Sequence, residues 1–179
     1  MERVKKGSFG RERENQFSLP DKKCTMPDAE SIAVPTFHGD FRYRVDTSRR
    51  LMLPAGWRPK DPKVVLTAVL WPIKVEQYVL VLPPERWQKM LDAFKTQSLG
   101  DERVAALERT IGGTSASLVL DKVGRFLLPD HLARPAGLEK EVQFVGRLGK
   151  FEIWNPERRG VASPDDKTLA AAVVQEINL

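Results

Sequence analysis

The chain has 179 residues, a formal net charge of +5 and a pI near 9.4, long enough to bury one sizeable core or two small ones that share an interface. No stretch approaches the roughly 20 apolar residues that a membrane helix needs, and the polar, charged N-terminus does not read as a secretory signal, so a soluble, cytoplasmic protein is expected. The single cysteine, Cys24, allows no internal disulfide, and with only His38 and His131 beside it no metal-ligand spacing arises; neither a metal nor a cofactor is expected.

In chain order, residues 1–35 are charged, poor in aliphatics and broken by Pro20, Pro27 and Pro35. Such a segment cannot bury enough apolar area to offset its ordering entropy, so a disordered extension is expected there. From Phe37 the texture changes. Phe41, Tyr43 and Val45 alternate with Arg42 and Arg44, the period of a half-buried strand whose charged face looks outward. Leu51 to Leu53 is a short strand stopped by Pro54; Val64 to Leu70 and Tyr78 to Leu82 are further strands. Pro83-Pro84-Glu85 opens a helix, since proline in the first turn lacks only a donor that would be orphaned anyway. On it Trp87, Met90, Leu91 and Phe94 share one face. A second helix is expected over Asp101–Ile111, with Val104, Leu107 and Ile111 inward and Gly112-Gly113 at its end. Strands follow at Ser117–Leu120, Phe126–Leu128, Val142–Val145 and Phe151–Trp154, with a loop containing Pro135 and Gly137 between the second and third. A stunted helix after Asn155-Pro156 and a last one after the Ser163-Pro164-Asp165-Asp166 cap, with Leu169, Val173 and Ile177 on one side, complete the plan.

The chain repeats itself. Val45-Asp46-Thr47-Ser48-Arg49-Arg50-Leu51-Met52-Leu53-Pro54 and Leu120-Asp121-Lys122-Val123-Gly124-Arg125-Phe126-Leu127-Leu128-Pro129 share apolar, Asp, three residues, Arg, three apolar, Pro, at an offset of 75 residues. Val79 to Arg86 then matches Phe151 to Arg158 at an offset of 72, as a loop shortened by three residues would give. The organisation expected is an extension over 1–35, a first half with its helix over 36–95, a linking helix and second half over 96–160, and a helical tail over 161–179. Positive charge gathers at the motif. Asp40 to Lys60 holds six basic and two acidic residues, Ser117 to Lys150 six and four, whereas the first thirty residues are nearly neutral with seven and six.

An Asp at the end of a strand can accept hydrogen bonds from amides of the following turn and can brace a guanidinium four residues on. A planar guanidinium so held can pair with guanine O6 and N7 or with a phosphate. Asp46 with Arg50, and Asp121 with Arg125, are therefore candidate DNA-binding residues, with Arg49, Lys122, Arg42 and Arg44 as supplementary phosphate contacts. The plainer account is a turn-forming Asp beside a solvated Arg; retention of Asp, Arg and Pro in both copies favours a shared role, which still includes shared folding. Pro54 and Pro129 are assigned to strand termination, Trp87 and Trp154 to the core. An enzyme is not expected, because no Gly-x-Ser-x-Gly or His-Glu-x-x-His string occurs, and Gly146-Arg147-Leu148-Gly149-Lys150 lacks the full phosphate-loop pattern.

Phe37-His38-Gly39, Val45-Asp46, Arg50-Leu51, Leu53-Pro54, Asp121, Gly124-Arg125, Pro129, Val145-Gly146 and Phe151-Glu152-Ile153-Trp154 together resemble the MraZ family of bacterial transcriptional regulators over about residues 36–159. The resemblance implies an α+β fold of two AbrB-like halves, each a swapped-hairpin β-barrel with peripheral helices, and closure of many subunits into a ring. It implies a nucleoid-associated regulator, usually a repressor, that binds short G-rich direct repeats in double-stranded promoter DNA of the division and cell-wall gene cluster. Its DNA-reading loops fall on Asp46 to Arg50 and Asp121 to Arg125. The family has glycine directly before the arginine, as at Gly124, but the first copy has Arg49 there, so that loop is expected to differ in shape or to use Arg49 on a phosphate. The alternative is an oligomeric barrel that binds a protein through its arginines, without sequence-specific DNA binding.

Overall fold

The computed structural model describes residues 36–71, 77–98, 100–162 and 166–176. The expected disordered extension over 1–35, the cap residues 163–165 and Ile177 lie outside the described residues. The fold is α+β, with antiparallel strands throughout. The strands are β1 (Asp40–Arg44), β2 (Arg50–Met52), β3 (Leu66–Trp71), β4 (Tyr78–Leu82), β5 (Ser115–Leu118), β6 (Arg125–Leu127), β7 (Glu141–Gly146) and β8 (Phe151–Trp154). The helices are α1 (Pro84–Lys95), α2 (Glu102–Gly113), α3 (Asp130–Ala133), α4 (Pro156–Ala162) and α5 (Asp166–Glu176). Pro84 stands in the first turn of α1. The Asp101 carboxylate caps α2 by accepting from the Arg103 amide at 2.9 Å. The Gly112-Gly113 pair lies inside the last turn of α2 rather than beyond it.

Two short turns went unread in the sequence. Pro54 and Pro129 each end a strand and at once open a helical turn: a 3-10 turn at Ala55–Trp57, closed by Trp57 N–H to the Pro54 carbonyl at 2.9 Å, and α3, where Leu132 N–H reaches the Pro129 carbonyl at 3.0 Å. Three or four residues are too few for helical periodicity to register, and Pro135 and Gly137 made the second segment look like loop.

The two copies interleave. Six strands form one sheet in the order β1-β7-β8-β4-β3-β5, and β2 pairs with β6 in a separate two-stranded ribbon. Neither half therefore closes on its own strands, as a barrel in each half would require: β1 of the first copy pairs with β7 of the second, and β5 of the second with β3 of the first. Equivalent residues face each other at the two central seams, Leu51 opposite Phe126 in the ribbon and Leu80 opposite Glu152 between β4 and β8. Antiparallel pairing of like with like is what a local twofold axis through both seams produces. The register also resolves the three-residue loss. Gln143 takes the place of Thr67 opposite the β8 or β4 partner, an offset of 76, so the second copy gains one residue before β7 and loses four in the hairpin after it.

Each sheet face has its own core. Side chains alternate along β4, so Val79 and Val81 join Phe144, Phe151 and Ile153 of the second copy and pack under Leu51 and Phe126 of the ribbon. Phe37, Trp57 and Phe151 meet there with ring centroids 4.9 to 5.5 Å apart, and the Trp57 indole N–H donates to the His38 carbonyl at 3.0 Å. On the opposite face Tyr78, Leu80, Leu82 and Trp154 pack with Trp87, Met90 and Phe94 of α1 and with Leu107 and Ile111 of α2. The core assignment of Trp87 and Trp154 holds. On α5, Leu169 and Val173 share a face as the spacing predicts, but that face is exposed.

Leu51 and Phe126 are both almost wholly buried where ribbon meets sheet, so truncating Phe126→Ala removes a large side chain at the one seam that ties the motifs together. A loss of about 3–5 kcal/mol is expected, measured as a shift in urea unfolding followed by far-UV circular dichroism.

Candidate nucleic-acid interface

The ribbon positions both motif arginines. Leu51 and Phe126 point into the core, so by strand alternation Arg50 and Met52, with Leu127 and Arg125 opposite them, occupy the outer face. Arg50 stands opposite Leu127 and Met52 opposite Arg125, which makes the two arginines diagonal neighbours, roughly 7–8 Å apart at their bases. About a third of each side chain is exposed. Leu127 is 59% exposed, an apolar residue left facing outward between guanidinium groups.

The two loops are built alike. The Asp46 Oδ1 atom accepts from the amides of Ser48 at 2.8 Å and Arg50 at 2.7 Å, while Oδ2 accepts from Arg50 Nε at 3.0 Å. Asp121 repeats this with the amides of Val123 at 3.0 Å and Arg125 at 2.8 Å, and with Arg125 Nε at 2.9 Å. Each loop is also closed by a backbone pair, Asp46 with Arg50 and Asp121 with Arg125. The Arg50 amide bond comes first in holding the Asp46 carboxyl below its ordinary value, opposed by partial burial and reinforced by the Arg50 side chain; Asp121 is lowered in the same way by Arg125. In both arginines Nε is tethered and the two terminal nitrogens have no hydrogen-bond partner among the described residues. A guanidinium fixed at one edge and open at its end is a fork aimed at a pair of acceptors.

The missing glycine of the first loop does not change its shape. Arg49 adopts φ +60° where Gly124 has φ +82°. A side chain in that region costs about 1 kcal/mol, and Arg49 is held by a two-pronged ion pair across the ribbon, Nη1 to Asp130 Oδ2 at 2.9 Å and Nη2 to Asp130 Oδ1 at 2.7 Å. Its guanidinium is thus engaged with α3 of the second copy rather than left open for a phosphate. At Gly124 a second consideration adds to the positive φ. The Arg58 side chain lies across it, and a Cβ there would come to 2.6 Å from Arg58 Cδ. Arg58 is in turn held by the Leu53 carbonyl at 3.1 Å.

Of the other sequence candidates, Lys122 is exposed on the turn of the second loop. Arg42 and Arg44 are not brought to the ribbon. They alternate with Phe41 and Tyr43, which pair with Phe144 and Val142 on the core side, so they face the side of the sheet that carries α1 and α2, beside Gln143 and Glu141. Asp130, Arg58 and Leu127 were missed in the sequence. Asp130 lies 81 residues from Arg49, a pairing no local pattern announces, whereas strand alternation with Phe126 inward could have marked its neighbour Leu127 as outward.

A family profile described as "MraZ protein, putative antitoxin-like" matches residues 112–158. The chain is 30% identical over 143 residues to the "Transcriptional regulator MraZ" of Lachnoclostridium phytofermentans, covering 80% of this chain and 98% of that relative. It is also 31% identical over 122 residues to that of Thermomicrobium roseum (68% and 82% covered) and 30% identical over 121 residues to that of Thioalkalivibrio sulfidiphilus (68% and 81%). The chain belongs to the MraZ family.

Because the folded carboxyls are depressed, the bracing they supply is complete at neutral pH and lost only as pH falls through the lowered folded values. Carbon-13 titration of the Asp46 and Asp121 carboxyls should give midpoints below the ordinary aspartate value of 3.8; midpoints at or above it would show that the loop amides do not brace them. Gly124→Ala meets both the positive φ and Arg58, and a destabilisation of about 1–3 kcal/mol is expected in urea unfolding.

Proposed function

We propose that this MraZ-family chain is a sequence-specific DNA-binding transcriptional regulator that meets double-stranded DNA with the outer face of the β2–β6 ribbon. The observation that carries the proposal is the presence on one ribbon face of two arginines braced identically by Asp46 and Asp121, each with its terminal nitrogens open. A two-stranded ribbon fits a major groove about 12 Å wide, and arginine paired to guanine O6 and N7 is the commonest specific contact there. The diagonal spacing of about 7–8 Å is close to two base-pair steps of roughly 3.4 Å. Arg50 and Arg125 then act as one composite reading head, not as two independent ones. Leu127 beside them is suited to the methyl group of a thymine.

In this proposal Lys122 adds a phosphate contact, Arg49 positions the first loop through Asp130, and Arg42 and Arg44 contribute at most remote backbone contacts from the far side of the sheet. The interleaved pairing of two similar halves supports descent from an AbrB-like swapped hairpin. A ring of subunits in the cytoplasm, each reading one of several G-rich direct repeats and repressing the division and cell-wall cluster, gains affinity because every further contact is intramolecular. The relatives are named transcriptional regulators, which supports regulation rather than catalysis.

Fluorescence anisotropy with the upstream region of the chain's own gene and with a scrambled duplex tests this. Arg50→Ala and Arg125→Ala should each weaken the specific duplex by about 1–3 kcal/mol and the scrambled one far less, while Lys122→Ala weakens both alike and lowers the salt slope by about one. Unchanged affinity in Arg125→Ala removes the ribbon as the reading site, and equal binding of both duplexes by the unaltered protein favours the protein-interaction alternative. Sedimentation velocity reports whether a ring forms.

A further inference from the structure

The Gly146-Arg147-Leu148-Gly149-Lys150 string has no part in the ribbon. It is the turn between β7 and β8, and it faces α1 across a cleft of ≈ 550 Å³. Four cations line that cleft, Arg86 and Lys89 from α1 and Arg147 and Lys150 from the turn, over a floor that includes Trp71, Leu80 and Met90; no carboxylate lines it among the described residues. Like charges repel, so an anion that neutralises them is favoured in this cleft over any further cation.

Among the described residues the acid beside it, Glu152, is already engaged. Glu152, 6% exposed, accepts from Arg147 Nη1 at 2.7 Å on one oxygen and from the Trp154 indole at 2.7 Å on the other. It fixes Arg147 and makes no hydrogen bond to Arg86, Lys89 or Lys150 among the described residues. Arg86, Lys89 and Lys150 form no salt bridge among the described residues. The Arg86 guanidinium lies close over the bare backbone of Gly149, where a Cβ would come to 2.7 Å from Nε and 2.9 Å from Cζ. The turn keeps Leu148 at φ +58°, pinned by its backbone pair with Phe37. Burial, and after it the Arg147 and Arg86 charges, lower the Lys150 ammonium from its ordinary value despite the opposing pull of Glu152.

We propose that this cleft is a second binding site, for a compact dianion carried on an apolar ring, the chemistry of an aryl or nucleoside phosphate. The cations take the phosphate, with Arg147 oriented beforehand by Glu152, and Trp71 with Met90 takes the ring. Its size is that of a small-molecule pocket. The same cations are not additional contacts to a duplex on the ribbon. Leu80 lies in the floor, and Leu80 alternates with Val79 and Val81, which pack beneath the ribbon; the cleft is on the opposite face of the sheet. The proposal stands whether or not the ribbon binds DNA.

Isothermal titration of the full chain with phenyl phosphate, inorganic phosphate and phenol, with far-UV dichroism on every variant, tests it. Phenyl phosphate should bind saturably at one site per chain, inorganic phosphate about tenfold more weakly, and phenol without measurable heat. Arg86→Gln at an exposed position and Lys150→Gln at a half-buried one should each weaken phenyl phosphate about fivefold or more, while Arg125→Ala leaves it unaltered. Three results overturn the proposal: no saturable binding at millimolar phenyl phosphate, loss of binding in Arg125→Ala but not in Arg86→Gln, or binding of a hexaglutamate peptide alone, which assigns the cleft to an acidic protein partner.

Discussion

The backbone pairing of β2 with β6 is the constraint from which the rest of this molecule follows. It joins the same three-residue stretch of each copy, places Leu51 against Phe126, and puts both on the core side. Strand alternation then leaves Arg50 and Arg125 no choice of face. Without this pairing the two motifs would be separate exposed turns. With it they become one surface, and the large apolar residues behind it anchor that surface to the sheet. The proposed reading face and the stability of the seam thus rest on the same three residues of each copy.

Twofold pairing of like residues invites symmetry, and the departures from it are informative. In the first loop an arginine occupies the left-handed position, held by Asp130; in the second a glycine lies under Arg58. The loops reach the same hydrogen-bonding pattern by different means, because the requirement is the positive φ and not a particular side chain. At the other seam the departure is chemical. Leu80 faces Glu152, whose burial is made tolerable by Arg147 and the Trp154 indole. An apolar residue in one copy and a satisfied acid in the other give the outer face of the sheet a polarity that exists on one side of the axis only. Burial and the adjacent Glu152 carboxylate push the Tyr78 phenol above its ordinary value, as expected beside an anion in a poorly hydrated place.

The sheet also divides the charges. The motif arginines lie above one face, and the cations of α1 and the β7–β8 turn lie on the other. A basic chain of this size would ordinarily be read as one diffuse positive surface. Alternation along β4 and β8, with two separate apolar cores, keeps the two groups apart by a layer of packed side chains.

Strand and helix content, the duplication, and the acid-braced arginine were legible in the chain, because each depends on neighbours within a few residues. Alternation at Phe41–Val45, the proline opening α1, and Asp four residues before Arg are local chemistry, and repetition made them conspicuous. Which strand pairs with which was not legible, since interleaving depends on contacts such as Phe41 with Phe144 that span the chain. The same holds for the fate of individual charges. Arg42, Arg44, Arg49 and Arg50 look alike as a basic cluster, yet tertiary structure turns the first two to the far face, ties the third to Asp130 and leaves only the fourth open on the ribbon. The amino-acid sequence by itself determined the motif and its internal bracing, because a carboxylate reaches amides two and four residues ahead in any fold that contains the turn. Only the tertiary structure decided that the two motifs share one face, because that rests on burying Leu51 and Phe126 together.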